Sequence, residues 1–346
     1  MAHGGDIYRN KVNMDFSVNL NPLGIQDEVL SAVRESVNQA ERYPDLEQEE
    51  VREVLAKSVG VDKEFVYAGN GASELIMAVV RAVNPKNTIL FEPVFSGYEY
   101  AIDSSITRYK LSETDGFRLS FKNLELINDK IDLIFLCDPV NPTGQNIDDN
   151  LLFEAIDKAK NVGAYICVDE SFILMSEKTS RKSESALVEL VKRYDNLIVI
   201  RSLTKVFAMP GIRMGYMISA PQNIEKIRKQ LPEWNLSVMS EAAIKAGIKL
   251  INETDFIQRT NKLLRDERRY LANSLQEIGL KAFDSDTAFI LFKGPLDLYD
   301  KLLEKNVLIR DCSDFYGLEK GFYRIAIKNH DENEVFIRAL KGVIDY

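Results

Sequence analysis

The sequence predicts a doubly wound, mostly parallel α/β layer followed by a smaller α+β unit. Three observations carry that expectation. From about residue 65, short β-rich runs alternate with helical stretches of roughly 10–15 residues, the rhythm of parallel crossovers. Residues 255–278 read as one long helix, rich in Arg and Lys, that leaves the layer. The 346 residues also exceed the roughly 100–200 of one ordinary domain. The expected organisation is an N-terminal arm over 1–24, a large domain over 25–255 and a small one over 256–346.

The elements follow in chain order. Ile25, Val29, Val33 and Val37 place a helix over 25–40, and Leu46, Val51, Leu55 and Val59 a second over 46–59. Strands are expected over 65–68, 88–91, 133–137, 164–168, 197–200 and 214–219. Helices over 72–83, 149–161 and 183–193 fall between them. Leu263, Leu264, Leu271 and Leu275 give the long helix its apolar positions. The small unit then has strands over 289–292, 307–310 and 323–327, and a closing helix from Asp331.

Composition narrows the chemistry. Hydrophobic residues make up 45% and charged residues 28%, the balance of a folded globular chain. Forty-four basic against 53 acidic residues leave a net charge of −9, which argues against a nucleic-acid partner. Apolar runs such as 133–137 are strand-sized, far below the ~18 residues of a membrane span. The opening MAHGGDIYRN has no apolar stretch behind a basic start, so a cytoplasmic location is expected. His3 and His330 are the only histidines, which argues against a Ser-His-Asp hydrolase and against a zinc site. Cys137, Cys167 and Cys312 are scattered without C-x-x-C spacing and read as reduced core thiols. The chemistry must come from Lys, Arg, Asp or a bound cofactor.

Open α/β sheets bind ligands beyond the carboxyl ends of their strands. After the first strand comes Gly69-Asn70-Gly71-Ala72-Ser73-Glu74, a turn whose backbone N–H groups can approach a phosphate at a helix start. After 133–137 comes Asp138-Pro139-Val140-Asn141-Pro142-Thr143-Gly144, and after 164–168 Asp169-Glu170-Ser171-Phe172. After 197–200 comes Arg201-Ser202-Leu203-Thr204-Lys205, with Arg213 eight residues past the lysine. Each has a plain structural reading as well: a turn, a proline-stiffened loop, a helix cap, a solvated loop. Together they offer an amine nucleophile, an anion for a ring nitrogen, an amide for a ring oxygen and a phosphate cradle. Those are the needs of pyridoxal 5′-phosphate.

The set N-P-T-G, D-E-S-F and S-L-T-K-x-x-x-x-P-G-x-R-x-G resembles the fold-type I, class I/II aminotransferases in order and spacing, from about His3 to Arg324. The resemblance implies that Lys205 carries the cofactor and shuttles the proton. It implies that Asp169 pairs with the ring nitrogen, Asn141 bonds the ring hydroxyl and Phe95 stacks on the ring. Gly71, Ala72, Ser73, Thr204 and Arg213 would hold the phosphate. Tyr43, in Arg42-Tyr43-Pro44-Asp45, matches a tyrosine that reaches the phosphate from a neighbouring subunit, which implies a homodimer. Arg310, Arg324 and Asn21 would bind substrate, an amino compound that is accompanied, in transamination, by a 2-oxo acid.

Two branches of the family fit. Histidinol-phosphate aminotransferases share the catalytic set, and most of the superfamily transaminates, which puts that reaction first. Threonine-phosphate decarboxylases match the opening His3-Gly4-Gly5-Asp6-Ile7, the run Asp15 to Gly24, Ile309-Arg310-Asp311-Cys312-Ser313, and Phe172. Most transaminases of the family carry Tyr where this chain has Phe172, so one hydrogen bond to the ring oxygen is expected to be missing.

Overall fold

Seven strands build the central sheet of the computed structural model, which describes residues 4–178 and 184–344. His3 lies outside the described residues. In chain order the strands are β1 (Val66–Gly69), β2 (Asn87–Glu92), β3 (Ser105–Lys110), β4 (Leu133–Cys137), β5 (Tyr165–Asp169), β6 (Leu197–Ser202) and β7 (Gly215–Ser219). Their spatial order is β1-β7-β6-β5-β4-β2-β3. From β6 across to β3 every pairing is parallel, whereas β7 runs antiparallel to both β6 and β1. The inner strands LIFLC, YICVD and LIVIRS are apolar almost throughout because helices cover both faces of a parallel sheet.

Two features depart from the sequence expectation. The edge strand β3, SITRYK, was not expected, because its residues are exposed or half-buried and no apolar run marks it. The run over 214–219 was expected among parallel crossovers, and it returns antiparallel instead. Residues 203–214 hold only a short turn of 3₁₀ helix, Pro210–Ile212, and not the α-helix that usually carries a parallel crossover. The chain therefore folds straight back beside β6. At that end an ideal Cβ on Gly215 would stand 2.9 Å from Arg201 O and 3.0 Å from the Ala72 nitrogen, so only glycine lets the strands close up.

A second sheet has four antiparallel strands: β8 (Lys281–Ala282), β9 (Phe289–Lys293), β10 (Arg310–Asp311) and β11 (Phe322–Ala326), in the order β10-β11-β9-β8. The single strand expected over 307–310 is in fact split at Ile309. Val307–Leu308 pairs in parallel with Met14–Asp15, and Arg310–Asp311 pairs with β11. An apolar run gives no sign of where its backbone changes partner. The N-terminal arm is stitched into this region, since Phe16 N donates to Leu308 O at 2.7 Å and Ala326 N to Phe16 O at 2.8 Å.

Helices Asp27–Ser36 and Glu49–Val59 are shorter than the periodicity suggested, and Ile25, Val37 and Leu46 end up exposed. The backbone at Gln48 is left-handed, with φ 53°. Its buried side chain accepts from Ala68 N at 3.0 Å and donates to Ala68 O at 3.1 Å, which pairs the open edge of β1. Helix Phe256–Glu277 matches the long helix expected from the sequence, preceded by Val238–Glu253. No described helix is long and apolar enough to cross a membrane.

The arm also reaches the end of β6. Asn21 N donates to Lys205 O at 3.0 Å, and Asn21 Nδ2 donates to Val206 O at 2.9 Å and Thr260 Oγ1 at 2.8 Å. Asn21→Ala leaves the buried Val206 carbonyl unpaired, so we expect a loss of about 1–3 kcal/mol in unfolding free energy, read by urea titration. An unchanged midpoint would mean that these bonds do not hold the arm.

Candidate active site

The carboxyl ends of the inner strands open on one cavity of about 200 Å³. Its floor is Asp169 at the end of β5, Asn141 after β4, Lys205 after β6 and Phe95 after β2. Ala72 and Ser73, the first residues of helix Ala72–Val83, line one end with Thr204 and Arg213. The opposite wall comes from the arm (Gly4, Ser17, Val18, Asn19) and from Arg310, Phe315 and Arg324 of the second sheet region.

The helix end is built for an anion. Its N-terminal N–H groups and dipole point at the cavity. Gly71 has φ +83°, and a Cβ there would meet Arg213 Nη2 at 2.5 Å, so glycine both permits the turn and admits the guanidinium. Arg213 is itself held at φ 59°, a strained conformation for a side-chain-bearing residue. The Ser202 and Thr204 hydroxyls, 2.7 Å apart, complete the polar surface.

Burial pushes the Lys205 amine down to about 8, with the positive charges of Arg324 and Arg213 adding to the effect. Roughly a tenth of this amine is thus neutral and nucleophilic at pH 7, far more than for an ordinary lysine. Asp169 is buried, and desolvation raises its pKa. Two donors oppose that rise: Ser171 N to Oδ1 at 2.9 Å, and the Tyr98 hydroxyl to Oδ2 at 2.8 Å. A cation beside Asp169 would complete its stabilisation as a carboxylate. An amine nucleophile, a buried acid waiting for a cation and a phosphate-sized cradle together fit pyridoxal 5′-phosphate.

Tyr98 escaped the sequence reading. It is fully buried, stacks on Phe135 with centroids 4.6 Å apart and meets the Phe95 ring edge-on at 5.5 Å. The short helix Gly97–Ala101 that carries it has no periodic signal. A tyrosine close behind a cleft-facing aromatic was the only hint, since a buried hydroxyl needs a partner.

Arg324 is buried, and desolvation lowers its pKa to about 10. It donates to Asn141 Oδ1 and, at 3.1 Å, to Ser17 O. Its Nε has no partner among the described residues, nor does Asn19 Oδ1. Arg310 stands opposite Arg324 across β10 and β11, and its guanidinium lies 5.1 Å from the Phe315 ring. Phe172 lines the cavity and packs edge-on against Phe289 at 5.0 Å. Two expected site residues stand apart. Asn21 does not line the cavity, because its amide is spent on Val206, Thr260 and Leu23. Tyr43 is 79% exposed and its ring lies 4.7 Å from that of Trp234, at the surface of this protomer.

In cofactor-free protein, acylation of Lys205 followed by peptide mapping should titrate with a midpoint near pH 8. Arg324→Gln should move that midpoint upward, because a positive neighbour that disfavours the ammonium form is gone. A wild-type midpoint at the ordinary lysine value of 10.5 would show a solvated amine.

The family model for aminotransferases of class I and II matches residues 11–340. A provisionally named threonine-phosphate decarboxylase of Caldanaerobacter subterraneus subsp. tengcongensis is 37% identical over 99% of this chain and 94% of its own. The threonine-phosphate decarboxylase of Salmonella typhimurium is 30% identical over 99% of this chain and 96% of its own. Among solved structures, the histidinol-phosphate aminotransferase of Clostridium acetobutylicum superposes with a TM-score of 0.87 at 29% identity, covering 96% of this chain and 99% of that one. The chain belongs to the class I and II aminotransferase family and is a fold-type I enzyme whose cofactor is pyridoxal 5′-phosphate.

Proposed function

We propose that the enzyme decarboxylates an amino acid that carries a phosphate on its side chain, a substrate of the threonine-phosphate kind. The observation that carries the substrate class is the pair Arg310 and Arg324, two guanidiniums in register across one sheet and lining one cavity with Lys205. Two fixed cations suit a substrate with two anionic groups, a carboxylate and a distal phosphate. The two decarboxylase relatives support the same choice. Transamination, placed first by superfamily weight, becomes the second reading. The same arginine pair would grip a dicarboxylic 2-oxo acid, and the relatives include aminotransferases.

Pyridoxal phosphate, when bound, supplies a sink for the electron pair left at the substrate α-carbon. The chain does the rest. Gly71, Ala72, Ser73, Thr204 and Arg213 would hold its phosphate, and Phe95 would pack against its ring. Asp169, steadied by Tyr98 and Ser171, holds a proton at the ring nitrogen. Asn141 answers the ring oxygen, where Phe172 adds no donor. The Lys205 amine carries the cofactor and moves the proton at the α-carbon. Arg310 and Arg324, by dividing the two substrate anions between them, would orient the bonds at that carbon and so select the one that breaks. Tyr43 belongs, in this reading, to the site of a partner protomer in a homodimer, which accounts for an aromatic pair left at the surface.

Holoenzyme given O-phospho-L-threonine should release CO₂, whereas histidinol phosphate with 2-oxoglutarate should give little glutamate. Glutamate without CO₂ would reverse the order of the two readings. Tyr98→Phe keeps the stack but removes one hydrogen bond to a charged group. At roughly 1.5–3 kcal/mol, that loss corresponds to a fall in kcat of about 10–100-fold. Unchanged kcat, with only a lower melting temperature, would make Tyr98 a packing residue.

A further inference from the structure

The register that sets Arg310 opposite Arg324 also creates a problem. Like charges directly opposite on one face of a sheet repel, and here both side chains are buried. Arg310 adds to the forces that make the protonated form of Arg324 less favourable, while Asp314 works against them. Asp314 is the carboxylate bonded to Arg310, with Nη2 donating to Oδ1 at 2.7 Å and to Oδ2 at 2.9 Å. The other terminal nitrogen, Nη1, donates to the Asp311 carbonyl.

Asp314 is held where it is by its turn. Ser313 N donates to Asp311 Oδ1 at 2.8 Å, Phe315 N to Cys312 O at 3.1 Å, and Leu318 N to Phe315 O at 3.0 Å. Cys312 and Phe315 are buried on either side, and the Arg108 guanidinium lies 4.9 Å from the next ring, Tyr316. The backbone that presents the carboxylate is therefore fixed. The carboxylate is not sealed in, because the Asp314 side chain is 30% exposed against 5% for Arg310. Water can take it up when its partner turns to another anion.

We propose that Asp314 sets the affinity of this subsite, an internal anion that must release Arg310 before the distal group of the substrate can take it. The inference rests on the reading above in which Arg310 receives that distal group. A carboxylate ligand competes with Asp314 one charge against one, for the same fork. A phosphate brings a charge of about −1.5 to −2 and three acceptor oxygens, and so prevails in the same contest. Without Asp314 every anion that takes this fork would gain by a similar factor, because the cost of displacing the carboxylate is common to them all.

The test uses holoenzyme, whose phosphate cradle is already filled by the cofactor, with inorganic phosphate and acetate as calorimetric probes. Asp314→Asn and Asp314→Ser should each bind phosphate about three- to tenfold tighter than wild type, the range expected when a part-exposed competing ion pair is removed. Acetate should gain by a similar factor, while Arg310→Gln should lose phosphate binding. A gain in affinity is an outcome that a damaged fold does not mimic, and two side chains at 314 guard against one misfolding. If neither variant tightens phosphate binding while Arg310→Gln still abolishes it, Asp314 only orients Arg310 and the inference is overturned with the reading intact. Wild-type phosphate binding in Arg310→Gln would instead overturn the reading of Arg310, and the inference with it.

Discussion

The antiparallel return from Ser202 to Gly215 is the constraint on which the site depends. A parallel crossover there would have carried the chain away to the far end of the sheet before the next strand. The tight return instead keeps Lys205 and Arg213 at one end of β6 and β7, next to the start of helix Ala72–Val83. The close approach of Gly215 to Ala72 then joins the amine-bearing loop to the anion-binding helix. Asn21, bonding the backbone of Lys205 and Val206, clamps the same loop from above. One reversal of strand direction thus brings nucleophile and cradle together.

Electrostatics follows from that geometry. Lys205, Arg213, Arg310 and Arg324 all line one cavity, whereas Asp169 is the carboxylate among its lining residues and Asp314 is bonded to Arg310. In a desolvated space such an excess of positive charge is unfavourable, and the amine yields first, since lysine releases its proton far more readily than arginine. The depressed Lys205 is therefore a product of its neighbours and its burial rather than a property of the residue. A ligand with anionic groups at two ends relieves the same imbalance. Affinity for phosphate and nucleophilicity of the amine thus have a single physical source.

How much of this was legible in the sequence depends on what each feature needs. The parallel strands were legible because burial on both faces demands unbroken apolar runs, as in 133–137 and 197–200. The cavity-lining residues Asn141, Asp169, Thr204 and Lys205 were legible because they follow those strands in order. Edge strand β3 was not, since one line of exposed hydrogen-bonding groups imposes no apolar pattern. The division of 307–310 between two sheets was hidden for a different reason: pairing partners leave no mark on an apolar run. Tyr98 acts through a contact across the fold, with Asp169 at the end of β5, and Asp314, though only four residues from Arg310, meets a guanidinium whose orientation the sequence does not give. Asn21 shows the reverse error, a polar residue in a motif that reads as binding and instead serves the backbone.

The choice of reaction lies furthest from the sequence. Asp169, Asn141 and Lys205 are common to decarboxylation and transamination, because both leave an electron pair at the same carbon. What differs is the torsion about one substrate bond, which in the proposed reading is set by two anchors. Arg324 is tied to Asn141 and to the arm at Ser17, while Arg310 is tied to Asp314 and Asp311. The first anchor is locked to the cofactor floor and the second to a turn at the rim. A substrate that spans both must adopt the torsion their separation dictates, so changing the strength of either anchor changes which bond is held perpendicular. Selectivity for the reaction and selectivity for the distal anion are, on this view, two consequences of one pair of arginines placed in register across β10 and β11.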